Sequence, residues 1–242
     1  MCSLFYKLGR AVAPGVRKTK WLWKTATGSK ADAIIAEQQV GQDMAYALKE
    51  KMRLDVDSQT RHLINEVGSK LADCTANKQR RFTFVPFKGS QAQAFSLPGG
   101  FIFISQRLIQ LCEWNKNELA FILAHEMAHV IRGHVMERII SNSAIAIALR
   151  SRAAGSTVAN LLGKAGNKLL QSAYSQEQEL EADKLGIELT SAAGYEPHGS
   201  IRLLQRLAKL DESGNESKLS DYFCSHPSLK ARIAYISQLL GQ

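Results

Sequence analysis

The chain has 242 residues, 45% of them hydrophobic and 22% charged, a globular composition that excludes a disordered or fibrous protein. No run approaches the ~20 uninterrupted apolar residues of a membrane-spanning helix; the longest weakly polar region, Ser141 to Leu170, is broken by Arg150, Arg152, Lys164 and Lys168. The formal charge of +9 is unevenly spread, because Lys7, Arg10, Arg17, Lys18, Lys20, Lys24 and Lys30 fall in the first thirty residues with no acid among them.

That leader also carries Phe5, Tyr6, Trp21, Leu22 and Trp23. Basic and aromatic side chains together suit peripheral contact with an anionic lipid surface, although a solvated leader fits the same residues. Nucleic acid is not expected, since no basic stripe continues into the rest of the chain. Leu4–Tyr6 and Ala11–Pro14 are too short for the core of a secretory signal, so the expected location is the cytoplasm or a membrane surface. Cys2, Cys74, Cys112 and Cys224 form no C-x-x-C pair, which argues against a disulfide framework or a thiolate metal site. The expected organisation is a leader over 1–30 and a single domain over 31–242.

The first helix is expected from about Ala33, with Ile34, Ile35, Val40, Met44, Ala47 and Leu48 on one buried face. A second starts near Ser58 as N-cap and runs through Leu63, Ile64, Val67 and Leu71. The strand-like section follows: Arg81–Phe87 alternates, then Ala94–Leu97 leads through Pro98-Gly99-Gly100 into Phe101–Ile104. Two or three antiparallel strands fit there, with Pro86 and Pro98 favouring an edge. Asn115 caps a long helix over Lys116–Ile140, with Glu118 reaching back in a capping box. A later helix spans about Leu169–Ala193 and stops at Gly194, and Pro197 and Pro227 open two more. The fold class is α+β, mostly α, with a small antiparallel sheet before a long central helix.

That helix contains His125-Glu126-Met127-Ala128-His129, the pattern H-E-x-x-H. Residues i and i+4 of a helix lie about 40° apart, so both imidazoles can reach one metal ion, and Glu126 lies close enough to act on a water beside it. Zinc suits nitrogen and oxygen donors and lowers the pKa of water at the site. Phe121–Ala124 and Val130 make the segment apolar on nearly every side, where two histidines and a glutamate without a shared partner would be costly. His134 lies about 140° round a continuous helix from His129 and reads as a packing or hydrogen-bonding residue; a metzincin would have its third histidine at position 135, which is Val135. Glu179 and Asp183, i and i+4 on another helix, supply the missing oxygen: one can bind the metal while the other accepts the free N–H of a ligand imidazole. Glu177 and Glu181 read as solvated.

H-E-M-A-H, then Q-E-L-E-A-D-K-L-G, then S-H-P-S-L-K-A-R-I resembles the gluzincin zinc metallopeptidases that include the CAAX prenyl proteases, the HtpX heat-shock protease and a mitochondrial inner-membrane quality-control protease. Q-A-F-S-L-P-G-G-F-I-F-I resembles that family's substrate-side strand, with Gln93 where asparagine is common. The resemblance covers about residues 60–240 and implies a zincin-like fold. It implies that His125, His129 and Glu179 bind zinc, with Glu126 as general base and Asp183, His226 and Arg232 beside the site. The transmembrane helices of many relatives have no counterpart here.

The expected reaction is zinc-dependent hydrolysis of internal peptide bonds in unfolded or extended polypeptides, in the manner of a quality-control protease. His226 is the expected donor to the oxyanion, or alternatively the cap of the helix at Pro227. Ala94, Phe95, Gly99, Gly100, Phe101, Ile102 and Phe103 form the expected substrate-binding strand, Phe101–Ile104 serving as the edge to which substrate adds; its phenylalanines could instead be ordinary core. The competing expectation is a zinc-stabilised, latent binding or chaperone-like module, with the Ala-, Gly- and Ser-rich stretch 141–167 as lid or docking helix.

Overall fold

The computed structural model describes residues 30–54, 56–141, 173–212, 226 and 229–241. The leader before Lys30, the stretch 142–172, Pro227, Cys2 and Cys224 lie outside the described residues. The elements are α1 (Lys30–Lys49), α2 (Ser58–Asp73), β1 (Thr83–Phe87), β2 (Ala94–Leu97), a single 3-10 turn (Pro98–Gly100), β3 (Phe101–Ser105) and α3 (Gln106–Leu111). They continue with α4 (Lys116–Arg132), α5 (His134–Ser141), α6 (Gln176–Ala192), α7 (Gly199–Glu212) and α8 (Leu229–Leu239). The mostly helical α+β class holds. Among the described residues no helix is long and apolar enough to cross a membrane.

The sheet differs from the expected antiparallel one. Its order is β1-β3-β2: β3 pairs parallel with β1 (Thr83 opposite Phe101) and antiparallel with β2 (Ala94 opposite Ile104). Phe101–Ile104 is therefore the central strand and not an edge, since hydrogen bonds occupy both of its sides. β2 and β1 are the edges, which is where Pro86 of β1 is tolerated; Pro98 lies in the turn and not in a strand.

Strand alternation sorts side chains between two cores. Phe84, Ala94, Ile102 and Ile104 join the larger core with Ile64, Leu71, Phe121 and Leu204. Val85, Phe87, Phe95, Leu97 and Phe103 join a smaller one with Met44 of α1, where Phe95 and Phe103 stack at 5.0 Å between ring centroids. α1 crosses the turn so closely that a Cβ on Gly41 would collide with the Pro98 carbonyl. Glu37 of α1 accepts from Gly99 N (3.3 Å) and from Arg80 Nη1 (3.0 Å). Burial raises the Glu37 carboxyl, with Arg80 opposing. Ile35, expected on the buried face, is 54% exposed.

Helix ends follow local chemistry. Asp57, not Ser58, caps α2, its carboxylate accepting from Thr60 N at 2.8 Å. Asn115 caps α4 through Asn117 N and Glu118 N, but Glu118 does not reach back; it binds Arg206 of α7 at 2.7 Å. α4 ends at Gly133, in the left-handed conformation (φ 81°), so the continuous helix to Ile140 is two helices. α6 starts at Gln176 rather than near Leu169, where Ser175 and Gln178 form a reciprocal capping box, and it stops before Gly194 (φ 78°). α7 opens at Gly199, two residues beyond Pro197.

Candidate metal centre

α4 runs through the middle of the molecule, buried from Glu118 to Val130, and α6 packs alongside it. A Cβ on Gly186 of α6 would stand 3.3 Å from His125 Cα and N. This close approach brings the carboxylates of α6 against the imidazoles of α4.

The donors converge. His125 Nε2 and His129 Nε2 lie 3.1 Å apart, and Glu179 offers Oε1 at 3.4 Å from His129 Nε2 and Oε2 at 3.6 Å from His125 Nε2. Two donors of a tetrahedral zinc ion, each at ~2.0–2.1 Å, stand ~3.3–3.4 Å apart, so the triangle is the right size. His226 Nδ1 joins it, 3.0 Å from Glu179 Oε1 and 3.3 Å from His125 Nε2. These four ligand atoms lie within 4.8 Å of one another, all buried. Buried Glu179 Oε2 and Glu126 Oε1 accept no well-directed hydrogen bond among the described residues, although Arg232 Nη1 and His226 Nε2 stand 3.0 and 3.2 Å from them; a cation in the centre would satisfy both oxygens. The donor set fits zinc.

Supports surround the donors. Asp183 Oδ1 lies 2.9 Å from His125 Nδ1, the arrangement that leaves Nε2 free for a metal. Arg232 of α8, fully buried, donates to both Asp183 oxygens through Nε (2.8 Å) and Nη2 (2.7 Å), and its Nη1 is 3.0 Å from Glu179 Oε2. Glu126 Oε2 accepts from Ser96 of β2 at 2.8 Å, and Oε1 faces His226 Nε2 at 3.2 Å. Tyr174 stacks on the His129 ring with centroids 3.8 Å apart, and the Arg138 guanidinium lies over the Tyr174 ring at 4.3 Å.

Ionisation follows from this crowding. Burial would raise the Glu126 carboxyl, but His226 overrides it and holds it at about 2. Burial would likewise raise Glu179, and His226 and Arg232 drive it well below the usual carboxylate range. Burial lowers His129 to about 4, whereas for His226 the charges of Glu179 and Glu126 outweigh burial and raise it to about 9.

The structure thus brings together His125, Glu126, His129, Glu179, Asp183, His226 and Arg232. It treats the expected substrate strand differently. Phe95 and Phe103 point into the smaller core, Ile102 and Ala94 into the larger, and Gly100 is buried. β2 is an edge strand by its place in the sheet, and all four of its residues are buried. Sequence reasoning missed Ser96, although a lone polar residue on the inner face of an apolar strand was a usable signal, and Tyr174, which no local pattern marks. Glu181 is not merely solvated: its Oε2 lies 3.2 Å from His134 Nε2.

Residues 58–240 match the model of peptidase family M48. The metalloprotease LoiP of Escherichia coli K12 is 32% identical over 157 residues, 62% of this chain and 59% of its own. The beta-barrel assembly-enhancing protease of Escherichia coli O157:H7 is 27% identical over 223 residues, 87% of this chain and 45% of its own. The mitochondrial metalloendopeptidase OMA1 of Schizosaccharomyces pombe is 32% identical over 153 residues, 62% of this chain and 44% of its own. The chain spans about half the length of these relatives. It belongs to peptidase family M48.

Proposed function

We propose that the chain hydrolyses internal peptide bonds of unfolded or extended polypeptides, with His125, His129 and Glu179 holding the zinc and Glu126 as general base. The observation that carries this is the buried triangle of two imidazoles and a carboxylate at tetrahedral spacing, with a second carboxylate, Glu126, beside it. Zinc held by these residues would supply Lewis-acid polarisation of a carbonyl and of a water at the site. Glu126 takes a proton from that water and returns it to the leaving nitrogen. Ser96 donates to Oε2, and Oε1, which faces His226 Nε2, is the oxygen that moves the proton. His226, whose Nε2 faces Glu126 Oε1, is the donor for the oxyanion. An extended substrate would add along β2, whose backbone reads main chain rather than side chains; broad specificity of the kind protein quality control needs follows. Residues 31–242 form the single catalytic domain in this reading. The basic leader 1–30 holds it at a cytoplasmic or membrane surface; liposomes of anionic lipid should pellet the full chain and not a chain starting at residue 31.

A second reading has its own support. With His226 Nδ1 beside Glu179 and His125, four protein donors surround one point, and a closed four-donor shell is the mark of a structural rather than a catalytic zinc site. A latent, zinc-stabilised binding module would look like this. Digestion of casein by the purified, zinc-loaded chain, with and without chelator, separates the two: chelator-sensitive cleavage supports the protease, and zinc retention without cleavage supports the module.

A further inference from the structure

Of the two imidazoles on α4, His125 has a carboxylate directly behind it, but His129 does not. Behind the His129 ring lies His134, Nδ1 to Nδ1 at 3.0 Å, and behind His134 lies Glu181, 3.2 Å from Nε2. We propose that His134 and Glu181 form a relay that fixes the tautomer and orientation of His129, making both positioning residues for the metal centre. The inference rests on the reading that His129 holds zinc through Nε2.

One proton assignment satisfies the whole chain. Nε2 of His129 points into the donor triangle, so metal binding needs its lone pair there and its proton on Nδ1. Two facing Nδ1 atoms cannot both carry protons, so Nδ1 of His134 accepts. The His134 proton then sits on Nε2, where Glu181 Oε2 accepts it. The result is a carboxylate–imidazole–imidazole–metal series, one imidazole longer than the Asp183–His125 arm.

The backbone is built for it. On a continuous helix, residue 134 would face about 140° away from residue 129. Gly133 breaks α4 in the left-handed conformation, where a side chain would be strained although nothing lies within 4 Å of a Cβ there. α5 then restarts with His134 turned back on His129. Tyr174, stacked on the His129 ring, restrains its tilt. His134 is 2% exposed, while the Glu181 side chain is 59% exposed, so the relay runs from the metal centre to the surface.

The test uses the full-length chain, stripped of metal and titrated with zinc against a chelating dye. His134→Ala is expected to weaken zinc affinity about 10–100-fold. His134→Asn, whose Oδ1 stands near the place of the imidazole Nδ1, restores most of it. Glu181→Ala weakens affinity by itself, yet adds nothing in the His134→Ala background, because the relay is already cut; a purely Coulombic effect of the Glu181 charge would persist there. In 15N spectra of the zinc-loaded chain, His129 is expected to carry its proton on Nδ1 and His134 on Nε2. Unchanged affinity in Glu181→Ala, an exposed position that leaves folding intact, overturns the relay. So does a His134 proton on Nδ1, or His134→Asn binding no better than His134→Ala. A wild-type chain that takes up no zinc overturns instead the reading of the site beneath it.

Discussion

Gly186 of α6 lies against the backbone of His125, with room for a Cβ only at 3.3 Å from His125 Cα and N. The two helices that carry the candidate metal donors can approach this closely only where one presents no side chain. Gly186→Ala should force a shift of a few tenths of an ångström between α4 and α6. Ala gains up to about 1 kcal/mol of helix propensity over Gly, so stability should change little while zinc affinity falls several-fold. Gly186→Val, which cannot be accommodated by so small a shift, should lose stoichiometric zinc. Chelator competition measures both, and undiminished affinity in the valine variant would show that the helix spacing does not set the site.

Glu126 is buried, held at about 2 largely by His226 against the pull of burial, and oriented by Ser96. Its proposed work is proton transfer, so Glu126→Gln should bind zinc as the wild type does and lose turnover of casein by about 10²–10⁴-fold. Wild-type turnover in that variant removes Glu126 from the role.

Glu179 and Glu181 are two residues apart on α6 but differ completely in setting, the first fully buried in the donor triangle and the second exposed. Glu179→Ala should lose zinc by elemental analysis, whereas Glu181→Ala at saturating zinc should keep one ion per chain, with reduced affinity only. The reverse pattern would mean that the ligand assignment is off by two residues.

The residues that the structure brings together in the candidate site were legible because they sit at helical spacing on two elements: His125 and His129 on α4, Glu179 and Asp183 on α6. Periodicity reports that kind of placement well. What escaped it depends on a single backbone conformation or on distant pairing. Gly133 was read as passing within a helix because the apolar pattern continues beyond it, although a left-handed cap was the available alternative; with the helix broken, His134 moved from the far side of α4 to the back of His129. The parallel pairing of β1 with β3 depends on distant packing, β1 against α2 and β3 against α1 and α4, and nothing in Phe101–Ile104 itself distinguishes a central from an edge strand. Glu118 satisfied the local capping pattern but found Arg206, 88 residues away, as a stronger partner.

Arg232 is completely buried and offsets two carboxylates at once, Asp183 through a forked pair of hydrogen bonds and Glu179 through Nη1. Its removal strands negative charge in the interior, the costly way to break a buried ion pair, at about 3–5 kcal/mol. Arg232→Met, similar in length but uncharged, should show that loss in urea unfolding of the zinc-loaded chain. A variant as stable as the wild type would mean that the zinc ion alone balances the carboxylates.

Zinc removal should itself destabilise the fold, because the donors are packed among the buried residues of α4 and α6 and not on a loop. An ion that binds only the folded state stabilises it by about 4 kcal/mol at a thousand times its Kd. For a chain of this size each kcal/mol moves Tm by about 2–4 °C, so chelation should lower Tm by roughly 8–16 °C at that loading. The Glu179→Ala chain separates this effect from any direct action of the chelator: lacking the ion from the outset, it should melt low and be indifferent to chelation. An equal drop in both chains would show that chelator acts elsewhere, and no drop in the wild type would show that the centre forms without its metal at no cost to the fold.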